Sequence, residues 1–291
     1  MSQNILILGA SGRFGRHAKN VVEQRHHIVR TFDRRHDNLA DAVAWSDIVI
    51  NGWNPPYPRW SRDIMPMTHC LINCLQGTEK RLILAGNVYG YGSDAPQPWG
   101  PDTPHRASNP MGKLRIETEQ AYRKANISTI ILRSGDFLDT QASGNWFDMM
   151  IAPSLAKGIF TYPAKTDAKH SWAYLPDVGR IVADLVDIRA TLPRFCDLPF
   201  AGFTLTPNDW QSALTLHFGQ LVRIKPLNWM PLILAYPVWP MARRLIEMRY
   251  LWSLPHALDP KPLETLLPNF KMTPLADAIP NLAPISGMPK P

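Results

Sequence analysis

The sequence predicts an α/β fold: a doubly wound parallel sheet, one edge strand short, followed by a smaller C-terminal cap. Three observations predict it. Short apolar runs, suited to strands buried on both faces, alternate with segments of helical periodicity. A glycine-rich turn follows the first run and opens the first helix. After about residue 190 the alternation gives way to a stretch rich in Trp, Pro and Met. The expected division is therefore 1–190 for the sheet and 191–291 for the cap.

The strands are expected at residues 5–8, 27–32, 47–51, 81–85 and 128–132, and the helices between them at 13–24, 38–44, 60–75 and 111–125. Only about a dozen residues separate Asp33 from Asp47, too few for a further parallel strand with its crossover helix. That is why one edge strand is expected to be missing. A further helix is expected at 240–252.

Composition excludes several classes. Of 291 residues, 45% are apolar and 19% charged, a globular mix that excludes disorder, collagen and a disulfide scaffold. No apolar run reaches the roughly 18 residues of a membrane span. The nearest, 229–241, is interrupted by Pro231, Pro237 and Pro240. The first ten residues lack a basic signal-peptide region. Cys70, Cys74 and Cys196 have no metal spacing and read as buried thiols, which points to the cytoplasm. The net charge of +7 favours an anionic ligand. The basic residues are scattered, so no nucleic-acid partner is expected.

The motif with the clearest chemistry is Gly9-Ala-Ser11-Gly12-Arg13-Phe14-Gly15. Gly9 permits a tight turn, Gly12 lets backbone approach a pyrophosphate, and Gly15 lets helix and strand pack closely. The helix N-terminus then presents free N–H groups to the anion. At the end of the second strand stand Asp33 and Arg34. An acidic residue there suits a ribose hydroxyl, and an arginine suits a 2′-phosphate. Arg13 and Arg34 outnumber Asp33, so NADP is favoured, with NAD the alternative. Trp53 and Asn54 follow the third strand, where the chain should pass the cofactor.

These motifs, with four more, resemble the extended or atypical short-chain dehydrogenase/reductase superfamily, which is epimerase- and dehydratase-like. The four are Leu82–Gly90 ("V-Y-G"), Asn109–Arg115 with Glu117 and Glu119, Ile131–Gly135, and Ala173–Val178. The resemblance implies a Rossmann sheet, an NAD(P) cofactor and an oxidoreductase or epimerase-like activity on a small organic substrate. It also implies a Tyr proton donor, a Lys and a Ser. Here those positions read Met111, Arg115 and Ala85. Methionine donates no proton and alanine holds no carbonyl, so the active site is atypical. The expected replacements are Tyr89, Asp136, Arg115 and His170, with Asn87 and Arg115 also toward the cofactor. The alternative is a non-catalytic NADP(H) sensor or scaffold. An enzyme should keep a polar pocket over the nicotinamide, whereas a sensor should fill it with Met111 and apolar neighbours.

The tail carries Arg243, Glu247 and Tyr250 at i, i+4 and i+7, hence on one helical face. That face suits an anionic substrate pocket or a homodimer surface equally, with a shallow membrane contact behind both and no stable membrane insertion expected.

Overall fold

A computed structural model of the chain describes residues 2–165, 167–286 and 288. Its strands are β1 (Asn4–Leu8), β2 (Ile28–Phe32), β3 (Ile48–Asn51), β4 (Arg81–Asn87), β5 (Thr129–Ser134), β6 (Asp136–Leu138), β7 (Ile159–Tyr162), β8 (His170–Tyr174), β9 (Phe195–Phe200), β10 (Phe203–Leu205) and β11 (Arg223–Pro226). The helices that matter below are α1 (Arg13–Gln24), α2 (Leu39–Trp45), α3 (Trp60–Leu75), α4 (Pro110–Lys124), α5 (Leu175–Ile188), α6 (Pro207–Phe218), α7 (Met230–Ala235) and α8 (Pro240–Glu247).

Six strands form one parallel sheet in the order β2-β1-β3-β4-β5-β9. The chain reverses direction in the order beside β1, and that point is where a parallel sheet opens a crevice. Side chains of β1 alternate between the two faces. Ile5 and Ile7 pack with α1 and α5, whereas Leu6 and Leu8 pack with α2 and α3. β2 ends the sheet, and no strand lies beyond it among the described residues. The shortened edge therefore agrees with the short Asp33–Asp47 spacing. Asn38 caps α2 by accepting from the amides of Ala40 and Asp41.

The sheet extends past the expected boundary at 190, because β9 pairs with β5 at its far edge. A proline within 195–200 conceals that strand, yet Pro199 is tolerated at a sheet edge. The remaining strands form two small sheets, β10-β8-β6 and β11-β7. They enclose a second core of Trp146, Phe147, Phe160, Trp172, Trp210 and Trp252. The tail helix stops at Glu247 and continues as a 3-10 turn over Arg249–Trp252, shorter than the expected 240–252 helix. Cys196 is the buried thiol. Cys74 is half-buried and Cys70 is exposed, so their expected burial fails because they lie on the outward side of α3.

Arg133 is the centre of the charged interior. Its guanidinium is fully buried and donates to Glu119 (2.8 and 3.1 Å), to Asp197 (2.5 and 3.0 Å) and to the Asn87 carbonyl (2.6 Å). Burial by itself would lower its pKa, but the two carboxylates hold it well above the usual arginine value. This network joins β4, α4, β5 and β9, and so fixes the strand ends that carry the site.

Candidate active site

The first layer of the site is the turn from β1 into α1. Gly9 has φ of +71°, and a Cβ there would sit 2.8 Å from the Gly52 carbonyl oxygen. A Cβ on Gly15 would lie 2.3 Å from the Gly9 oxygen. The motif is thus closed by backbone against backbone, and these glycines cannot be replaced without opening it. Gly12 caps α1 with no side-chain cap, and no acidic residue stands in the first turn. Among the described residues no side chain caps the amides of the first turn, so the turn fits a dinucleotide pyrophosphate. Ser11 and Gly12 are exposed beside it. Phe14 is 5% exposed and packs in the core beneath the sheet, so its side chain holds the turn rather than the ligand.

Three basic residues at the start of α1 reach the loop after β6. Arg13 donates to the Ser143 carbonyl at 3.0 Å. Arg16 and His17 both bind the buried carboxylate of Asp139. At the end of β2, Asp33 is clasped by Arg35 through its backbone amide (2.9 Å) and guanidinium (3.1 and 3.3 Å). Those bonds lower the Asp33 pKa to about 2. Arg34 is exposed and Arg30 pairs with Asp37. The pairing of Asp33 with Arg35 has no signal in spacing; it depends on the turn that follows β2.

The second layer lies at the carboxyl ends of β3 and β4. Asn51 turns the chain by accepting from the Trp53 amide, and Trp53 meets Phe32 edge-on at 5.5 Å. Asn54 accepts from Arg115 at 2.9 Å. Arg115 is buried, lies 4.1 Å over the Trp60 ring, and leaves its Nε without a partner among the described residues. A hollow lined by Asn51, Trp53, Leu84, Arg115 and Tyr122 opens beside it. The hollow has room for about one water, and the orphaned buried N–H beside it is left for a water or a single ligand oxygen. Asn87 faces inward only through its own loop, accepting from the Tyr89 amide.

Tyr89 and Tyr57 meet hydroxyl to hydroxyl at 2.7 Å. Burial raises both phenol pKa values, that of Tyr89 well above the usual range, and the charges of Arg115 and Asp136 reach the pair. Both hydroxyls therefore carry their protons at neutral pH. Tyr57 sits in residues 53–60, the proline-rich segment after the third strand, and meets Tyr89 only because β3 and β4 are neighbours. Met111 is 2% exposed and packs in the same cluster as Tyr89 and Trp60.

The third layer comes from the small sheet. Asp136 begins β6 and His170 begins β8, and they pair at 2.7 Å. His170 is buried, stacks on Trp252 at 4.2 Å, and meets His256 edge-on at 4.5 Å. Its Nδ1 has no partner among the described residues. His256 donates Nδ1–H to the Leu254 carbonyl, and its Nε2 accepts from the Ser171 amide. It also stacks on Trp99 at 4.9 Å.

Burial lowers the His256 pKa to about 3. In the unfolded chain histidine binds its proton near pH 6.5. The unfolded state thus binds more protons than the folded state from about pH 6.5 down to about 3, and stability falls as pH falls through that window. We expect the Tm to drop on acidification and the drop to be shallower in His256→Leu. Calorimetry at a series of pH values checks this; equal acid slopes in both proteins would refute it.

The candidates thus form two groups. Gly9, Ser11, Gly12, Arg13 and Gly15 make the turn from β1 into α1. Asn54, Arg115, Tyr89 and Asp136, with Tyr57 and His170, gather on the next strands. Arg34 stays apart on the β2 edge. In the tail, Glu247 accepts from the Met111 amide at 2.7 Å, and Tyr250 meets Asn109, so both hold the first turn of α4. Arg243 leaves that face and caps α7.

No family model and no curated protein matches the chain. Solved structures do. A UDP-glucose 4-epimerase from Brucella ovis in complex with NAD has a TM-score of 0.71 at 14% identity, covering 99% of each chain. A UDP-glucuronic acid 4-epimerase from Bacillus cereus, with its sugar nucleotide and NAD, has a TM-score of 0.70 at 14% identity, covering 94% of this chain and 95% of that one. A dTDP-4-dehydrorhamnose reductase from Clostridium acetobutylicum has a TM-score of 0.62 at 15% identity, covering 77% and 84%. The chain shares the fold of these solved enzymes, a Rossmann-type parallel sheet with flanking helices.

Proposed function

We propose that this protein binds a nicotinamide dinucleotide in the Gly9–Gly15 turn and acts as an oxidoreductase or epimerase-like enzyme on a small, anionic organic substrate. The observation that carries the proposal is the joint placement of the uncapped α1 N-terminus and the Tyr57–Tyr89 hydroxyl pair on adjoining strand ends. The bound cofactor supplies hydride transfer. The protein's own part is to orient and to move one proton. Tyr89 Oη donates it to a substrate oxygen, and Tyr57 Oη, 2.7 Å away, replenishes it. Arg115 stabilises the phenolate that forms. Arg115 also takes the ribose through its unpartnered Nε.

NADP is the form we favour. Arg35 balances the charge of Asp33, which leaves exposed Arg34 uncompensated for a 2′-phosphate. The solved neighbours named above as complexes hold NAD, and this surplus of cations is the local difference on which the reading rests. A second reading, a dinucleotide sensor without turnover, draws on buried Met111 packed where the family keeps its proton donor.

One experiment separates them. Thermal unfolding is measured with NADP+, NADPH, NAD+ and NADH, and carbonyl and alcohol panels are screened with the form that binds. A ligand at about 100 times its Kd adds roughly 2.7 kcal/mol, a shift of several degrees. We expect the shift with the phosphorylated forms, and turnover that falls about a hundredfold or more in Tyr89→Phe with the shift retained. A shift without turnover in any panel selects the sensor. No shift with any dinucleotide overturns both.

A further inference from the structure

Between Asp209 and Glu247 the sequence holds no carboxylate. Of the eleven large apolar side chains that stand exposed among the described residues, eight fall in that interval. Six of them, Met230, Ile233, Leu234, Tyr236, Val238 and Trp239, occupy α7 and the turn into α8. Leu234 and Val238 are 73% and 83% exposed, so they project into solvent rather than line a groove.

This element is firmly rooted. Trp229 and Leu232 are buried in the second core, and the Trp229 indole donates to the Pro163 carbonyl at 2.8 Å. Arg243 closes the turn by donating to the carbonyls of Tyr236 (2.8 Å) and Pro237 (2.5 Å). The outward apolar side chains are therefore held in place without contributing to the core. Exposed apolar side chains concentrated in so short a segment mark a contact.

The surrounding charge selects the occupant. Arg243 and Arg249 are exposed beside the apolar side chains, and Lys225 is exposed on β11 just before α7. A second copy of the chain would bring the same cations against them, which opposes association. An anionic bilayer offers an apolar layer for Leu, Val and Trp, and negative headgroups for arginine. No helix among the described residues is long and apolar enough to cross a membrane, so the contact would be a surface one.

We propose that α7 and the α7–α8 turn seat in the interfacial layer of an anionic phospholipid bilayer, with Arg243 and Arg249 at headgroup level. This inference stands independently of the cofactor reading.

The full chain is sedimented with phosphatidylcholine vesicles and with vesicles that also contain phosphatidylglycerol, at low and high salt. We expect binding to the mixed vesicles, weakened by salt. The double substitution Leu234→Glu with Val238→Glu should lower partitioning about a hundredfold or more. Both positions are exposed, so circular dichroism and any dinucleotide-induced thermal shift should be unchanged. Failure of the wild-type chain to sediment with mixed vesicles would overturn the proposal. So would equal sedimentation of wild type and variant. A wild-type dimer in sedimentation equilibrium that the same double substitution splits would assign this surface to self-association instead.

Discussion

Replacing Arg133 by methionine should lower stability by about 3–5 kcal/mol, because it leaves Glu119 and Asp197 buried without a counter-charge. For a chain of this length that is a fall in Tm of roughly 10 °C. Neutralising the partners as well, with Glu119→Gln and Asp197→Asn in the Arg133→Met background, should recover part of the loss. The recovery separates buried charge from lost packing. A single-variant loss below about 1 kcal/mol by denaturant titration would mean that water or another cation reaches the carboxylates.

Gly15→Ala should abolish the dinucleotide-induced thermal shift while the chain still folds. The added methyl would stand 2.3 Å from the Gly9 oxygen, 2.9 Å from its carbonyl carbon and 3.0 Å from the Ala10 Cα. All three are backbone atoms, so the turn must open and its amides lose their common focus. Such overpacking costs typically about 1–3 kcal/mol of stability. The control is Gly77→Ala. Gly77 has φ of +76°, but a methyl added there would meet no atom within 4 Å, so the substitution brings backbone strain without a clash. It should cost stability and leave the shift intact. If both variants keep the shift, the turn does not hold the ligand.

Much of the sheet was legible because its signals are local. An apolar run, a glycine and a helical period suffice to place β1 and α1, and the same logic places α3 and α4. The short interval after Asp33 suffices to remove an edge strand. What stayed hidden depends on contact between distant residues. Asp197 meets Arg133 across 64 positions, and β9 carries a proline that demotes it when read alone. Tyr57 opens a 3-10 turn over Tyr57–Arg59, and its meeting with Tyr89 across 32 positions leaves no periodic signal. The small sheets are built from strands of three to five residues, too short for alternation to register. The Asp136–His170 pair was legible only as two separate candidates, because parallel pairing of β6 with β8 brings them together. The end of α8 was overrun because its apolar spacing continues into the 3-10 turn.

The carboxylate of Glu247 fastens α8 to the opening turn of α4, and Tyr250 grips Asn109, the residue that caps the same helix. Arg115 stands one turn farther along α4. A displacement of α8 must either strip the Met111 amide of its acceptor or carry that turn with it. Stripping a buried amide of its acceptor is the costlier course. α8 and α4 therefore behave as one lever. The tail thereby fixes where α4 begins, and with it the turn of α4 that carries Arg115.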